Sequence, residues 1–167
     1  TPNGIVTMIA QWTPNPASIN YDSNPPTGRT PGGQGTANWT GHTGDTQAIG
    51  ANGWTVDGYT FIGWNTSADG KGTAYAPGTT WIANGTLTLY AQWTPGQAGL
   101  TYDGNGATGG KTDPQPGKTD EKINVRDNGF TRDGYMFVTW NTQAGCKGKA
   151  VNPGDEWTLQ GSSTCLL

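Results

Sequence analysis

The chain has few charged residues, and these are scattered. Charged residues make up 13% of the 167 positions, the net charge is −3, and there are nine Lys and Arg. Proteins that bind nucleic acid usually gather Lys and Arg into a patch or stripe that neutralises phosphates. We therefore expect no nucleic acid partner.

Long apolar runs and long helical patterns are missing as well. No stretch is apolar over the roughly 20 residues that span a bilayer, and no signal peptide or sorting tail is recognisable. The 28 Gly and 11 Pro interrupt the chain so often that no helical pattern continues for about 10 residues. The composition predicts a turn-rich, mostly β protein, with no membrane span, whose thin cores are held by eight Trp, six Tyr and three Phe.

Residues that could carry catalysis are scarce. His42 is the only histidine, and no Ser or Cys in a recognisable context accompanies it, so no nucleophilic triad can be proposed. Residues 104–110, GNGATGG, match a dinucleotide fingerprint, but Pro114 and Pro116 leave no helix to receive a pyrophosphate. A glycosidase needs two carboxylates that face each other across a cleft. No acidic pair that occurs only once in the sequence stands out as such a site. We expect a chain that is not an enzyme and holds neither a cofactor nor a metal.

What the chain does contain is an internal repeat. Residues 57–75, DGYTFIGWNTSADGKGTAY, return as DGYMFVTWNTQAGCKGKAV at 133–151. Each copy has an Asp-Gly turn, an alternating aromatic and aliphatic segment that ends at Trp64 or Trp140, and a Gly-rich turn. This order predicts a strand bounded by turns, and its recurrence predicts tandem modules.

The repeat also predicts how the chain is divided. Residues 5–12, IVTMIAQW, match LTLYAQW at 87–93 position by position, so we interpret residues 1–12 as the last strand of a preceding repeat. Both ends are interpreted as boundaries of a fragment of a longer array, and strand exchange between fragments is expected to fill the incomplete second copy. The predicted segments are an orphan terminal strand (1–12), a Pro-containing linker (13–18), repeat 1 (19–93), a second linker (94–99), and repeat 2 (100–167), truncated within its last strand.

The duplication separates residues that the fold needs from residues that a site needs, because a residue required by the fold should recur in both copies. Seven of the eight Trp recur in this way and are predicted to lie in the core. These pairs are Trp64 with Trp140, Trp81 with Trp157, Trp12 with Trp93, and Trp54 with Phe130.

Trp39 alone has no counterpart. It lies with His42 in the polar stretch GTANWTGHTG, which we predict to be a surface loop. An exposed indole there could stack on a sugar ring, or the side chain could fold back over the base of its own loop. Trp39 and His42 are therefore the candidate ligand-binding residues, with a host glycan or mucin as the expected ligand.

Both cysteines, Cys146 and Cys165, lie in the second copy. Cys165 aligns with the core position Leu89, and Cys146 lies in the Gly-rich turn. They could form a disulfide if that turn folds over the last strand. In an oxidising exterior, closing a loop of about 20 residues would add roughly 3 kcal/mol. The alternative is two free thiols.

The segments GYTFIGWNTSADGKGTAY and TLTLYAQW resemble the Listeria–Bacteroides repeat family, short repeats of bacterial surface proteins related to internalin B-repeats. The resemblance covers both copies and residues 5–12, nearly the whole chain. It implies compact β-grasp-type modules of secreted, wall-attached adhesins and glycan-degrading enzymes, and hence an extracellular location at the cell wall. It supplies no catalytic residues. The second copy departs from the pattern at Thr139 and Cys146, which replace Gly63 and Gly70, and in a last strand that reads STCLL.

Two functions are compatible with these observations. In the first, the repeats are non-enzymatic stalk and adhesion-supporting modules of a bacterial cell-surface protein, in contact with neighbouring repeats. The alternative is a glycan-binding accessory module of a secreted glycoside hydrolase. Trp39 distinguishes them, since a spacer has no reason to expose an indole.

Overall fold

The structure is a computed structural model that describes residues 4–161 and the backbone of residues 164–166. Its described residues form strands and turns, and their only helical element is a short 3-10 turn, η1, at Ala144–Cys146. The predicted all-β class and the two repeat units are thus confirmed. The β-grasp label stays a prediction, because the described part of the chain contains no α-helix that a sheet could pack around.

Short strands separated by turns run through both copies. The first copy contains β1 (Pro16–Asp22), β2 (Gly32–Gly33), β3 (Trp39–His42), β4 (Thr46–Ala48), β5 (Trp54–Thr55), β6 (Tyr59–Asn65), β7 (Ala74–Tyr75), β8 (Thr80–Ile82) and β9 (Thr86–Pro95). The second contains β10 (Gln97–Tyr102), β11 (Gly109–Gly110), β12 (Gln115–Lys118), β13 (Lys122–Asn124), β14 (Phe130–Thr131), β15 (Trp140–Asn141), β16 (Ala150–Val151), β17 (Glu156–Thr158) and β18 (Thr164–Leu166).

The first and last strands of each repeat are parallel neighbours. In the first repeat a five-stranded sheet has the order β3-β1-β9-β6-β7. Ile19 of β1 stands opposite Leu87 of β9, and Tyr21 stands opposite Leu89. Ile19 and Leu89 are fully buried, as expected where alternate side chains of paired strands face one core. In the second repeat β10 pairs in parallel with β18.

A buried Trp lies at the centre of each repeat. Trp64 is 1% exposed, and the rings of Tyr21 and Trp54 lie 4.8 Å and 6.0 Å from it. Trp140 is also 1% exposed, with Tyr102 at 4.7 Å. Both positions confirm the core prediction.

The other Trp positions lie nearer the surface. Trp54, Trp81, Trp93 and Trp157 are half-buried. Trp12 is 90% exposed, so its prediction as a core residue was wrong.

The N-terminal strand prediction was also wrong. Residues 4–15 contain no strand, and five apolar side chains within residues 5–12 are between 77% and 95% exposed. A strand forms only where a neighbouring strand pairs with its backbone N–H and C=O groups. The described residues provide no such neighbour for this segment.

The segments predicted as linkers are partly strand. β1 begins at Pro16, β9 continues to Pro95, and β10 begins at Gln97. A proline at the first or last residue of a strand removes no hydrogen bond from the interior of the sheet, and therefore does not exclude strand structure there.

The two copies of the repeated segment differ in structure. Residues 59–65 form β6, but the equivalent residues 135–141 form a strand only at Trp140–Asn141. β6 lies between β9 and β7, whereas the three-residue β18 pairs only with β10. The prediction of a full strand in the second copy was wrong because no described strand lies beside residues 135–139.

The chain forms two compact units that do not coincide with the two repeats. One comprises the chain up to Asn24, Gln34–Trp54 and Gly63–Gln92. The other comprises Pro25–Gly33, Thr55–Ile62 and the chain from Trp93 onward. The predicted segment boundaries stay a prediction.

Candidate functional site

An open groove of ≈ 380 Å³ lies in the second repeat. It is lined by residues from four stretches: the turn that follows β10, the segment 128–133 that contains β14, the segment 135–141, and the Gly-rich turn that contains η1. The groove combines a concave shape with several exposed apolar side chains. We therefore treat this groove as the candidate site.

The apolar side of the groove is the segment 135–139. Met136 and Val138 are 90% and 85% exposed, and Tyr135 is 67% exposed. Phe137 packs with its ring centre 5.0 Å from that of the buried Trp140. Several large apolar side chains are thus presented to solvent along one extended segment.

The polar side is a turn held by its own hydrogen bonds. Asp103 accepts a bond of 2.7 Å at Oδ1 from the backbone N–H of Asn105, whose φ of 45° places it in the left-handed region. Arg132 donates from Nη1 to the Asn105 carbonyl at 3.2 Å, and its guanidinium lies 4.2 Å from the centre of the Tyr135 ring. These contacts hold the turn against one end of the apolar segment.

Tyr102 packs against Trp140, which lines the groove. Its hydroxyl accepts a 2.8 Å hydrogen bond from the backbone N–H of Arg126 and also bonds to the side chain of Gln115. Burial raises the pKa of this phenol.

The first repeat shows what occupies the equivalent space. There β9 lies beside β6 in the sheet, and Trp93 of β9 packs against Phe61 of β6 with ring centres 5.7 Å apart. Asn24, the counterpart of Asn105, donates from Nδ2 to the carbonyl of Ala91 in β9 at 2.9 Å. Asn105 Nδ2 donates to no carbonyl of the described residues.

The Gly-rich turn also contacts β9 in the first repeat. A Cβ built on Gly70 would lie 2.8 Å from Oε1 of Gln92, so the Gln92 side chain lies directly against this turn. Its Nε2 donates to the carbonyl of Ser67 at 3.4 Å. Cys146 is the residue equivalent to Gly70, and it lines the groove.

The structure places Trp39 on a strand, not in a loop, which corrects the prediction. In β3 it stands opposite Ile19, is half-buried, and packs edge-to-face against Trp81 with ring centres 6.1 Å apart. A Cβ on Gly41 would lie 2.3 Å from the Trp39 ring, so the indole covers that glycine. Of the two predicted arrangements, the side chain adopts the one that folds back over its own segment.

His42 is not brought together with Trp39. It is exposed at the end of β3, where its backbone N–H donates to Oδ2 of Asp45 at 2.8 Å. Residues three apart on a strand point to opposite faces, so these two candidates do not form one site.

The predicted disulfide stays a prediction. Cys146 is exposed and forms no disulfide with a described residue, and the side chain of Cys165 lies outside the described residues. In the first repeat Tyr21 stands opposite Leu89, the residue with which Cys165 aligns. In the second repeat Tyr102, the equivalent of Tyr21, stands opposite Leu166, so the pairing is shifted by one residue from the aligned one. A thiol count in denatured, unreduced protein distinguishes a bridge from two free thiols.

The groove was only partly predictable from the sequence. Comparison of the copies indicated an incomplete last strand in the second repeat, but the exposure of residues 135–138 was missed. Neither a metal-binding group of three or more His, Cys, Asp or Glu nor a helix long and apolar enough to cross a membrane occurs among the described residues.

Comparison with known proteins agrees with the repeat. The sequence model of the Listeria-Bacteroides repeat domain matches the chain twice, over residues 18–92 and 99–165. The chain is 33% identical over 109 residues to a "Putative Gly-rich membrane protein" of Evansella cellulosilytica, a match covering 61% of this chain and 13% of the relative. It is 37% identical over 98 residues to a "Putative membrane protein" of the same organism, covering 58% of this chain and 14% of that protein. No solved structure matches the chain significantly.

Proposed function

Because the chain belongs to the Listeria-Bacteroides repeat domain family, we propose that it is a pair of non-enzymatic modules of an extracellular bacterial cell-surface protein. The modules act as a stalk that supports adhesion. Two kinds of evidence support the location: the surface proteins in which the family occurs and the two relatives named as membrane proteins. The chain spans only 13% and 14% of the length of those relatives. Any role of the whole protein to which the chain belongs is therefore a proposal.

The observation that carries the stalk role is the parallel pairing of the first and last strands in each repeat. Parallel strands begin at the same end of a sheet and finish at the same end. The chain therefore enters a module at one end of the β1–β9 pair and leaves at the other. With about 3.3 Å per residue, each repeat adds length instead of folding the chain back on itself.

The same pairing suits a module that carries tension. Pulling on the two ends of a parallel pair loads its interstrand hydrogen bonds together along the strand direction. Five residues of β1 are paired with β9 in this way, from Ser18 to Asp22. A module that must transmit force between a cell and a surface benefits from this arrangement.

The acidic side chains near the groove favour a structural role over catalysis. Asp103 caps the backbone of its own turn, and Asp133 bonds to the hydroxyl of Thr108 at 3.1 Å. A glycosidase would need two carboxylates directed at one bond.

The proposal is tested by replacement in the bacterium that produces the protein. Residues 16–161 are exchanged for an unrelated pair of small β-domains of equal length, and cell adhesion is measured. Retained adhesion supports a stalk. Lost adhesion, together with direct binding of the isolated chain to the same surface, would make the repeats themselves the adhesive part.

The location is tested separately. Antibodies against the chain should label intact cells, and a protease added outside should remove the label. Labelling that requires permeabilised cells would contradict the proposed location.

A further inference from the structure

We propose that Arg29, Tyr59 and Asp120 form a junction through which the first repeat stabilises the second. The segment that contains Arg29 and the Asp-Gly turn of the first repeat together hold the turn between β12 and β13. The inference concerns coupling between consecutive repeats and stands whether or not the chain is a stalk.

All three residues of the junction belong to one compact unit. That unit contains Pro25–Gly33 and Thr55–Ile62 from the first repeat, together with the chain from Trp93 onward. Two pieces of the first repeat are thus grouped with the second repeat, although the sequence pattern assigns them to the first.

The carboxylate of Asp120 receives two side chains from the first repeat. Its Oδ1 accepts a hydrogen bond from the guanidinium of Arg29 and forms an ion pair with it. Its Oδ2 accepts a hydrogen bond of 2.5 Å from the hydroxyl of Tyr59. The guanidinium also lies 5.7 Å from the centre of the Tyr59 ring. The hydrogen bond from Tyr59 lowers the pKa of Asp120, so the carboxylate is charged at neutral pH.

This ion pair is better shielded from solvent than three others in the chain. The side chains of Arg29 and Asp120 are 18% and 39% exposed. Those of the other three pairs are between 54% and 85% exposed: Lys71–Asp69, Lys111–Asp113 and Lys122–Glu156. Ion pairs that are open to solvent contribute little to stability, whereas a charge that has lost much of its hydration depends on its partner. We therefore expect loss of the junction to have a measurable effect.

Backbone contacts bring the two repeats together at the same place. The N–H of Gly96 donates to the carbonyl of Gly58 at 2.7 Å, and the carbonyl of Gly96 accepts from the N–H of Thr119 at 3.0 Å. Thr119 is 2% exposed, and a Cβ built on Gly58 would lie 2.7 Å from its side chain. The residue before Asp120 is thus packed against the Asp-Gly turn of the first repeat.

Asp120 departs from the repeat at a position that favours glycine. It stands where the first repeat has Gly44, two residues after the strand that pairs with the first strand of its repeat. The φ angle is 65° at Asp120 and 95° at Gly44, in the left-handed region that glycine adopts without steric cost. The contacts of its carboxylate with the other repeat explain why an aspartate occupies this position.

Arg29 also lies outside the repeat pattern. β2 pairs with β5 and β11 pairs with β14, so β2 and β11 are equivalent strands. Seven residues lie between Asn24 and β2, but three lie between the equivalent Asn105 and β11. Arg29 belongs to the longer segment. Two departures from the repeat, 91 positions apart in the chain, thus meet in one ion pair, as expected of residues that serve a contact between repeats.

Hydrogen exchange of the 167-residue chain tests the coupling. A contact that exists only when both repeats are folded is lost when either one opens, so each repeat protects the other. Arg29→Met, a change in the first repeat, should therefore raise the exchange rates of backbone amides in β10 and β13 of the second repeat several-fold.

The matched control is Lys71→Met, which removes the same charge from an ion pair inside the first repeat and should leave those rates unchanged. Circular dichroism establishes that each variant is folded. Rates in β10 and β13 that do not respond to Arg29→Met, or that respond equally to Lys71→Met, would overturn the proposal.

A double-mutant cycle assigns the effect to the ion pair. Asp120→Asn keeps the left-handed turn, because Asn adopts this conformation readily, and should raise the same exchange rates. If both residues act through one contact, the double variant Arg29→Met/Asp120→Asn should exchange no faster than the faster single variant. Effects that multiply in the double variant would show that the two residues act separately and would refute the junction.

Two equivalent glycines test the packing of the turn. Gly58 and Gly134 have φ angles of 75° and 76°, so alanine introduces the same backbone strain at both. A Cβ on Gly58 meets Thr119, whereas no described atom lies within 4 Å of a Cβ on Gly134. Gly58→Ala should therefore lower the melting temperature of the chain by more than Gly134→Ala does. Equal shifts would contradict the packing of the two repeats at this turn.

Discussion

The indole Nε1 of Trp140 donates a hydrogen bond of 3.0 Å to the backbone carbonyl of Arg126. Trp64 makes the same bond, also 3.0 Å, to the carbonyl of Gly50 in the first repeat. Each buried Trp thus fills the centre of a small core and also satisfies a backbone acceptor in the segment that covers it.

Replacing either Trp by Phe should destabilise the protein, because the carbonyl loses its donor and the core loses volume. We expect Trp140→Phe and Trp64→Phe each to lower the free energy of unfolding by about 1–3 kcal/mol, and the Ala variants by about 3–5 kcal/mol. Urea unfolding measures the change. Trp12→Phe, at a 90% exposed position, is the control at low protein concentration; an equal loss there would show that burial is not the cause.

A buried Asn organises the Gly-rich turn in each repeat. Asn65 accepts from the backbone N–H of Ser67 at 2.9 Å and donates to the Gly70 carbonyl at 3.0 Å. Asn141 accepts from the N–H groups of Gln143 and Gly148, both at 3.0 Å. The two side chains are 4% and 6% exposed.

Asn141→Ala should therefore lower the free energy of unfolding by about 1–3 kcal/mol, since two backbone donors lose their acceptor. Thermal unfolding followed by circular dichroism measures the change, and Asn65→Ala should behave alike. The matched control is Asn15→Ala, at an exposed position in a strand-free segment. A loss of similar size in the control would argue against the turn as the cause.

The raised pKa of Tyr102 predicts a loss of stability in alkali. Burial favours the neutral phenol in the folded state, so the folded protein binds this proton more tightly than the unfolded chain. The contribution of the neutral Tyr102 phenol to the free energy of unfolding is fully present below the ordinary tyrosine pKa of 10.0. It is lost as the pH rises through the higher pKa of the folded state.

The measurement is the dependence of the urea midpoint on pH from about 8 to 11. Tyr102→Phe should have the shallower decline, whatever its stability at neutral pH. Tyr59 adds to the decline in both proteins, because its hydrogen bond to Asp120 raises its pKa. Trp64→Phe, in the other repeat, leaves the surroundings of the Tyr102 phenol intact and should decline as steeply as wild type. Parallel curves for wild type and Tyr102→Phe would contradict the prediction.

Trp39 should act on stability more than on ligand binding. Its edge-to-face contact with Trp81 and its half-buried position lead us to expect that Trp39→Ala costs about 1–3 kcal/mol. A glycan array and a mucin binding assay on wild type and Trp39→Ala decide between the two functions. Specific binding that disappears in a folded Trp39→Ala protein would establish the glycan-binding alternative.

The sequence predicted the features that depend on local pattern and on recurrence. Turn residues at fixed offsets and alternating apolar residues defined β1, β6, β9 and β10, within a few residues at their ends. Recurrence of Trp64 and Trp140 placed both in the core, because a residue that the fold requires should recur in both copies and an aromatic side chain buries a large apolar area.

Only the tertiary structure decided which strand-like segments become strands. Residues 59–64 and 135–140 carry nearly the same pattern, as do residues 6–12 and 87–93, yet only β6 and β9 form continuous strands over these stretches. A strand is stabilised by hydrogen bonds to a neighbour distant in the chain, and nothing in a local pattern says whether that neighbour is present. The sequence thus determined the repeat, the strand-forming potential and the core Trp, while pairing in three dimensions decided where a groove and an unpaired segment remain.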